Sequence, residues 1–275
     1  MVQKLIISSL GAYLNVINLL SKKIGGKHAF LVFCYPFSVR LKPAQAAFLK
    51  TSRQSILDFE GKKIAVYEWG SGPQTILCLH GLHSQTFRWK KFIEELDFEK
   101  YRVVAIDAPG HGKSEGKFLN AIVYARLIEK LLEMYSAEYI LAHSLGAFGS
   151  LYLFNEKPEL SPKKMALLGT PGEVSEFLEA YGKVLKINQR VYDNMHRYIE
   201  KTIGKPPSYY SAEKFAKKQT AEGLLIHDTE DVDAPYKHAQ SIHRNWENSE
   251  LFTTTGFGHK LRDISVVEKV VAFFG

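Results

Sequence analysis

The N-terminal part of the chain has helical spacing of its polar positions. Small and polar side chains recur every three or four residues, at Ser8, Ala12, Asn15, Asn18 and Lys22. Larger apolar side chains lie opposite them, namely Leu5, Ile6, Leu10, Tyr13, Leu14, Ile17 and Leu20. The pattern predicts an amphipathic helix whose apolar face packs on the core or on a partner, or attaches to a membrane surface. A second apolar run, HAFLVFCYPFSV, follows Gly25 and Gly26 and is predicted to complete a helical hairpin.

Beyond residue 50 the apolar positions alternate in the way typical of strands. The stretch SILDFEGKKIAVYEWGSGPQTILCLHGL contains three short strand signals, separated by Gly61 and by a turn at residues 71–73. Five more strand signals follow, YRVVAID, YILAH, KMALLG, GLLIH and ELFTTT, with helical signals in NAIVYARLIEKLLEMY and VVEKVVAFF. Repeated strand–helix units predict an α/β fold with a mostly parallel sheet of about eight strands and helices on both faces.

Helical segments interrupt this alternation between residues 172 and 218. Their apolar positions are Phe177, Leu178, Tyr181, Leu185, Val191, Met195, Tyr198 and Ile199. An insertion of this kind between two strands is predicted to form a helical lid. The predicted organisation is an N-terminal helical extension over residues 1–50 and one domain over residues 51–275 that carries the lid at 172–218.

The composition fits a globular chain and limits its partners. With 275 residues, 45% of them hydrophobic, the chain can bury a sizeable core. The net charge of +7 comes from scattered lysines, so nucleic-acid binding is not expected. Cys34 and Cys78 lie in apolar segments and are expected to be free thiols. No small-x-small cleavage site follows the first apolar stretch, and a cytoplasmic location is expected.

A serine lies where a predicted strand meets a predicted helix. In YILAHSLGAFGS, Ser144 follows an apolar run and precedes a run of small residues. The nucleophile-elbow motif needs small residues two positions before and two after the serine, because strand and helix approach closely there. Ala142 and Gly146 occupy these positions, with alanine in place of the usual first glycine. The stretch therefore makes Ser144 a candidate nucleophile.

The groups that a nucleophilic serine requires follow predicted strands elsewhere. The stretch His80-Gly81-Leu82 ends a strand, where the backbone N–H groups of Leu82 and Leu145 could form an oxyanion hole. Asp231 follows the strand GLLIH, and His259 follows the strand ELFTTT. Serine, acid and histidine in this chain order, each just after a strand, form the expected order of a catalytic triad.

These motifs together resemble the α/β-hydrolase fold superfamily. The resemblance covers residues 55 to 275 and rests on HGLHSQTFRW, IDAPGHGKS, AHSLGA, HDTEDVDAP and GFGH, in that order. It is similar in detail to bacterial esterase-like serine hydrolases. The resemblance implies hydrolysis of a carboxylic ester or thioester of a small molecule through an acyl-enzyme, with no metal and no organic cofactor. A non-catalytic ligand-binding protein on the same scaffold is the alternative, and the N-terminal helices are a candidate for homodimer contact.

Several carboxylates compete for the role of the acid. Asp228, Asp231 and Asp233 share one loop, and Glu173 follows the strand signal KMALLG, from which some relatives supply the acid. Many relatives carry glycine at the position of Asp228. The resemblance favours Asp231, four residues beyond His227, and Asp228 is then expected to brace the turn.

Two other motifs are interpreted as structural. DAPGHGKS is close to a phosphate-binding loop, but Asp107 stands where the first glycine belongs and Pro109 removes a backbone donor, so a tight turn is predicted. His83, His111 and His143 lie beside motifs without metal-ligand spacing and are expected to be hydrogen-bonded loop residues.

Overall fold

The computed structural model describes residues 2–37 and 41–275, with side chains described from Leu5 onward. The end of the predicted second apolar run, at residues 38 and 39, lies outside the described residues. Helices occupy the following ranges: α1 Val2–Leu20, α2 Lys22–Phe33, α3 Pro43–Leu49, α4 Lys90–Glu95, α5 Ala121–Tyr135, α6 Leu145–Glu156, α7 Val174–Leu185, α8 Gln189–Ile203, α9 Ala212–Ala216, α10 Lys237–Asn245 and α11 Ile264–Phe274.

An eight-stranded sheet contains all the strands of the described residues. The strands are β1 Arg53–Phe59, β2 Lys62–Trp69, β3 Gln74–Leu79, β4 Tyr101–Ile106, β5 Tyr139–His143, β6 Lys164–Leu168, β7 Glu222–Asp228 and β8 Ser249–Thr254. Their order in the sheet is β1-β2-β4-β3-β5-β6-β7-β8. Strand β2 is antiparallel to both of its neighbours, β1 and β4. The remaining neighbours in this order, from β4 and β3 to β7 and β8, pair in parallel. The predicted fold class is confirmed.

Central strands are apolar at nearly every position because both faces of the sheet are covered. All five residues of β5 and the last five of β3 are buried. This continuous burial is typical of parallel strands that lie between two layers of helices. The carboxyl ends of the parallel strands therefore meet at one edge, where the loops that follow them come together.

Contacts divide the chain into two compact units. The sheet unit comprises Pro36–Gly172 and Ala212–Gly275, and the helical unit comprises Met1–Tyr35 and Glu173–Ser211. Leu49 of α3 is fully buried in the core of the sheet unit, although it falls within the predicted extension 1–50. Phe215 of α9 packs against Phe148 with ring centroids 5.8 Å apart, although it falls within the predicted lid. The domain and lid boundaries drawn from the sequence stay predictions.

In the helical unit, α1 packs through a side that the sequence pattern did not indicate. Leu14 is fully buried, and Asn18 is buried with its Oδ1 accepting a hydrogen bond from Asn194 Nδ2 at 2.7 Å. A Cβ atom on Gly11 would lie only 1.7 Å from the Leu185 carbonyl oxygen, so this glycine lets α1 approach α7 closely. Several predicted core positions are instead exposed, including Leu20 at 78%. The option that all these positions pack on the core is wrong, because large apolar residues occupy most of the circumference of α1 and only one side of it is buried. Contact with a partner or with a membrane surface stays a prediction.

Within the described ranges, no helix combines the length and the apolar character that crossing a membrane requires.

Candidate active site

Ser144 lies on a sharp turn between β5 and α6 in the sheet unit. Its backbone has φ 52° and ψ −119°, a conformation that residues with a Cβ atom rarely adopt. Two hydrogen bonds hold it: the Ser144 N–H donates to the Leu168 carbonyl at 2.9 Å, and the Phe148 N–H donates to the Ser144 carbonyl at 2.9 Å. Such strain costs about 1–3 kcal/mol and persists only where the surroundings enforce it.

Two glycines make room for this turn. A Cβ atom on Gly146 would lie 2.4 Å from the Leu79 carbonyl oxygen, so only glycine lets α6 start this close to β3. A Cβ atom on Gly81 would lie 2.8 Å from the Ser144 Cβ. Ala142, which replaces the glycine usual in this motif, is fully buried in β5. The small residues of the motif thus serve the close approach of strand, loop and helix.

The loops after β7 and β8 bring Asp231 and His259 to Ser144. The His259 Nε2 lies 3.1 Å from the Ser144 Oγ, and its Nδ1 lies 2.8 Å from the Asp231 Oδ2. The Asp231 side chain is fully buried, whereas the His259 side chain is 17% exposed. The structure therefore joins these three residues in one continuous line of hydrogen bonds.

Hydrogen-bond donors surround the Asp231 carboxylate. The N–H groups of Asp233 and Ala234 donate to Oδ1 at 2.9 and 2.8 Å. The His227 Nε2, which donates to the Ala234 carbonyl at 2.7 Å, lies 3.3 Å from Oδ2. Burial raises the pKa of Asp231, but the hydrogen bonds from His227, His259 and Ala234 outweigh it and hold the pKa well below the usual range. Asp231 is therefore ionised at neutral pH.

The competing carboxylates hold other positions. The Asp228 Oδ2 accepts hydrogen bonds from the Thr254 hydroxyl at 2.7 Å and from the Phe257 N–H at 2.9 Å, so it joins the loops after β7 and β8. Asp233 is exposed. Glu173 lies in the helical unit just before α7 and forms a backbone bridge with Ser211.

Two buried donors fix the backbone of the loop after β8, which carries His259 and is called here the histidine loop. The His143 Nε2 donates to the His259 carbonyl at 2.8 Å, and the Arg88 guanidinium donates to the Lys260 carbonyl at 3.0 Å. Because both bonds reach main-chain oxygens, they position the His259 ring without engaging its nitrogens. The His259 nitrogens stay available to Ser144 and Asp231.

His80 sets the direction of the peptide between Gly81 and Leu82. The Ala108 N–H donates to the His80 Nε2 at 2.9 Å, so the ring proton is on Nδ1, which lies 2.7 Å from the Gly81 carbonyl and donates to it. In a trans peptide the next N–H points opposite to the carbonyl. The Leu82 N–H therefore points away from His80. Leu145, the first residue of α6, also presents an N–H with no intrahelical acceptor.

A model of the serine aminopeptidase S33 family matches residues 71–256, more than half of the chain, including Ser144 and Asp231. The chain belongs to this family. The uncharacterized hydrolase YugF of Bacillus subtilis (strain 168) is 25% identical to this S33 family member over 237 residues, which cover 68% of this chain and 84% of YugF. The 2-hydroxy-6-oxononadienedioate/2-hydroxy-6-oxononatrienedioate hydrolase of Escherichia coli (strain K12) is 27% identical over 139 residues, 46% of this chain and 48% of that protein.

Among solved structures, Est1E of Butyrivibrio proteoclasticus, with ferulic acid bound, superimposes with a TM-score of 0.67 at 18% identity. The superposition covers 80% of this chain and 97% of Est1E. This likeness shows the α/β-hydrolase fold. Together with the family match, it identifies this S33 family member as a hydrolase of the α/β-hydrolase fold.

Sequence reasoning missed four residues that position the site of this S33 family member: His80, Arg88, His143 and His227. His143 is hydrogen-bonded, as expected, but it is the last residue of β5 and not a loop residue. The sequence pattern uses His227 only to locate Asp231, four residues further on. Position along the chain could have indicated three of these four residues. His80, His143 and His227 lie at or beside the carboxyl ends of strands. The same strands lead to the predicted site residues Leu82, Ser144 and Asp231. Arg88 lies in the stretch HGLHSQTFRW, but a buried arginine cannot be told from an exposed one by sequence alone, so its role was not indicated.

In the DAPGHGKS turn, the carboxylate of Asp107 occupies the place where a phosphate-binding loop would hold an anion. Asp107 accepts hydrogen bonds from the Thr86 N–H at 2.9 Å, from the Lys113 N–H at 2.9 Å and from the Tyr67 hydroxyl at 3.0 Å. An anion would meet this carboxylate rather than free N–H groups. In the part of the chain that the structure describes, no group of three or more metal-binding side chains was found either.

Two buried histidines should make the stability of this S33 family member depend on pH. Burial lowers the pKa of His80 to about 4 and that of His111 to about 3, so both are neutral in the folded state. In the unfolded chain they bind protons below pH about 6.5. The free energy of unfolding should therefore fall as pH drops from about 6.5 to 4, by up to about 1.4 kcal/mol per pH unit for each histidine.

Urea unfolding at several pH values measures this slope, and His111→Gln should make it less steep by up to about one proton. An unchanged slope in this variant would contradict a buried neutral His111.

Proposed function

We propose that this chain is a serine hydrolase that cleaves a carboxylic ester or thioester of a small molecule through an acyl-enzyme intermediate. One observation carries the proposal: the line of hydrogen bonds from Asp231 through His259 to Ser144, at 2.8 and 3.1 Å. A serine is activated as a nucleophile when a base lies within hydrogen-bond reach of it and an acid within reach of the base orients that base.

In the first half of the reaction, the Ser144 Oγ attacks the substrate carbonyl carbon. His259 Nε2 takes the hydroxyl proton, and the carbonyl oxygen becomes an oxyanion. The backbone N–H groups of Leu82 and Leu145 are proposed to donate hydrogen bonds to this oxyanion. The intermediate then collapses, the bond to the leaving group breaks, and His259 gives its proton to the departing alcohol or thiol.

Water completes the reaction by the same groups. His259 takes a proton from the water, whose oxygen attacks the acyl carbonyl, and the proton then returns to the Ser144 Oγ as the acid product leaves. The ionised Asp231 keeps the Nδ1 proton of His259 facing it, so Nε2 is free to accept. These steps use no metal ion and no organic cofactor.

The choice of ester or thioester rests on the resemblance to esterase-like serine hydrolases. The family description names an aminopeptidase, so an aminoacyl amide is the competing substrate class. In an amide the amine leaves only after it is protonated, whereas alcohols and thiols leave more readily. A panel of p-nitrophenyl esters, acyl thioesters and aminoacyl p-nitroanilides separates the classes.

Replacement of Ser144 tests the nucleophile. Ser144→Ala should reduce kcat on the best ester or thioester by several orders of magnitude and leave the circular dichroism spectrum unchanged, because only Oγ is removed. Hydrolysis of p-nitroanilides alone would reassign the substrate to amides. Absence of turnover with every class by the wild-type protein would favour a non-catalytic ligand-binding protein.

Carboxylate replacements test the acid. Asp231→Asn should lower kcat by about 10⁴-fold, since an amide no longer selects the productive histidine tautomer. Asp233→Asn, in the same loop, and Glu173→Gln should each cost far less, and Asp228→Asn should act mainly on stability because Asp228 joins two loops. Steady-state kinetics on one ester, with unfolding monitored in parallel, gives both quantities. A greater loss of kcat from Glu173→Gln than from Asp231→Asn would refute the assignment.

A further inference from the structure

Helix α1 turns a long apolar face to the outside. Six large side chains along its length are between 44% and 78% exposed, and they are called here the α1 outer face: Leu5, Ile6, Tyr13, Val16, Leu19 and Leu20. At 100° per residue, these positions fall on one side of the helix. An apolar helix face of this extent in contact with water is typical of an interaction surface.

The opposite side of α1 explains why this face cannot turn inward. Leu14 is fully buried, and Asn18 is buried with a hydrogen bond to Asn194. Gly11 lies so close to the Leu185 carbonyl that no larger residue fits. The Asn15 side chain also donates to the Lys186 carbonyl, at 3.1 Å. The side of α1 that carries Leu14 and Asn18 is thus fixed within the helical unit, and the α1 outer face stays exposed.

The charged side chains of residues 1–35, the segment that contains α1, have one sign. Residues 1–35 contain four lysines and no aspartate or glutamate. Lys22, Lys23 and Lys27 follow the end of α1, and all three are exposed. The two segments of the helical unit together carry ten basic and five acidic residues, which is +5 of the net charge of +7. An apolar helix face bordered by lysines fits a binding surface in which an anionic outer layer covers an apolar layer.

A second copy of the chain fits this face less well. Two outer faces packed on each other would bring together segments that hold four lysines each and offer no carboxylate within residues 1–35 to pair with them. Phosphate and carboxylate groups of lipids would neutralise the same lysines while the acyl region receives the apolar side chains. The charge pattern therefore favours an anionic lipid surface.

We propose that the α1 outer face binds to the surface of an anionic lipid bilayer. The helix lies along the surface, since its apolar side chains extend from Leu5 to Leu20 over a helix of about 28 Å. Leu19 and Leu20, the most exposed of them, enter the acyl boundary, and Lys22 and Lys23 contact the headgroups. This proposal concerns the helical unit alone and does not depend on the catalytic assignment.

Sedimentation of the full chain with vesicles tests the proposal. Binding should be strong to phosphatidylcholine vesicles with about one-third phosphatidylserine, weak to pure phosphatidylcholine, and reduced by added salt. The double variant Leu19→Gln, Leu20→Gln should lose binding. The double variant Lys22→Gln, Lys23→Gln should weaken binding to anionic vesicles by about tenfold or more.

Matched controls come from the sheet unit. Ile56 and Ile264 are 62% and 49% exposed, and Lys217 and Lys218 are an exposed neighbouring pair. The doubles Ile56→Gln, Ile264→Gln and Lys217→Gln, Lys218→Gln should bind vesicles like the wild type. Circular dichroism and the melting temperature verify that every variant is folded, since all the changed side chains are exposed.

Three results would overturn the proposal. One is absence of wild-type binding to anionic vesicles. Another is equal loss of binding in the control variants. The third is a dimer in sedimentation velocity that Leu19→Gln, Leu20→Gln dissociates while vesicles bind no protein, which would assign the face to a second copy.

Discussion

The candidate active site depends on one backbone constraint, the positive φ angle of Ser144 between β5 and α6. The Leu168 carbonyl holds its N–H, and the close passage of Gly81 and Gly146 leaves no room for the chain to relax. A serine placed this way projects from the end of a buried strand rather than packing within it. The conformation is strained by about 1–3 kcal/mol, and the buried sheet around it maintains the strain.

Around this turn, buried polar side chains hold the loops of the candidate active site in position. His80 orients the Gly81–Leu82 peptide, His143 and Arg88 hold the backbone of the histidine loop, and Asp228 joins the loops after β7 and β8. Buried polar groups are costly unless they are hydrogen-bonded, so these networks fix single conformations of the loops. The loops gain the rigidity that a pre-organised site needs.

Much of this arrangement could be predicted from the sequence, because its signals are local. The alternation of strands and helices predicted the sheet, and small residues around Ser144 predicted the tight turn. The exposed side of α1 could not be predicted, since Leu14 and Leu20 look alike in the pattern and only the fit of Gly11 and Asn18 against other helices decides between them. The role of Arg88 depends on a contact 172 residues away along the chain, which no local pattern contains.

The proposed mechanism requires that the Ser144 Oγ becomes covalently acylated. Mass spectrometry of the protein quenched within milliseconds of mixing with excess p-nitrophenyl ester measures this directly. We expect a mass increase equal to one acyl group, located on the peptide that contains Ser144 and lost over time as turnover proceeds. Turnover without any adduct on Ser144, or with the adduct on another residue, would contradict it.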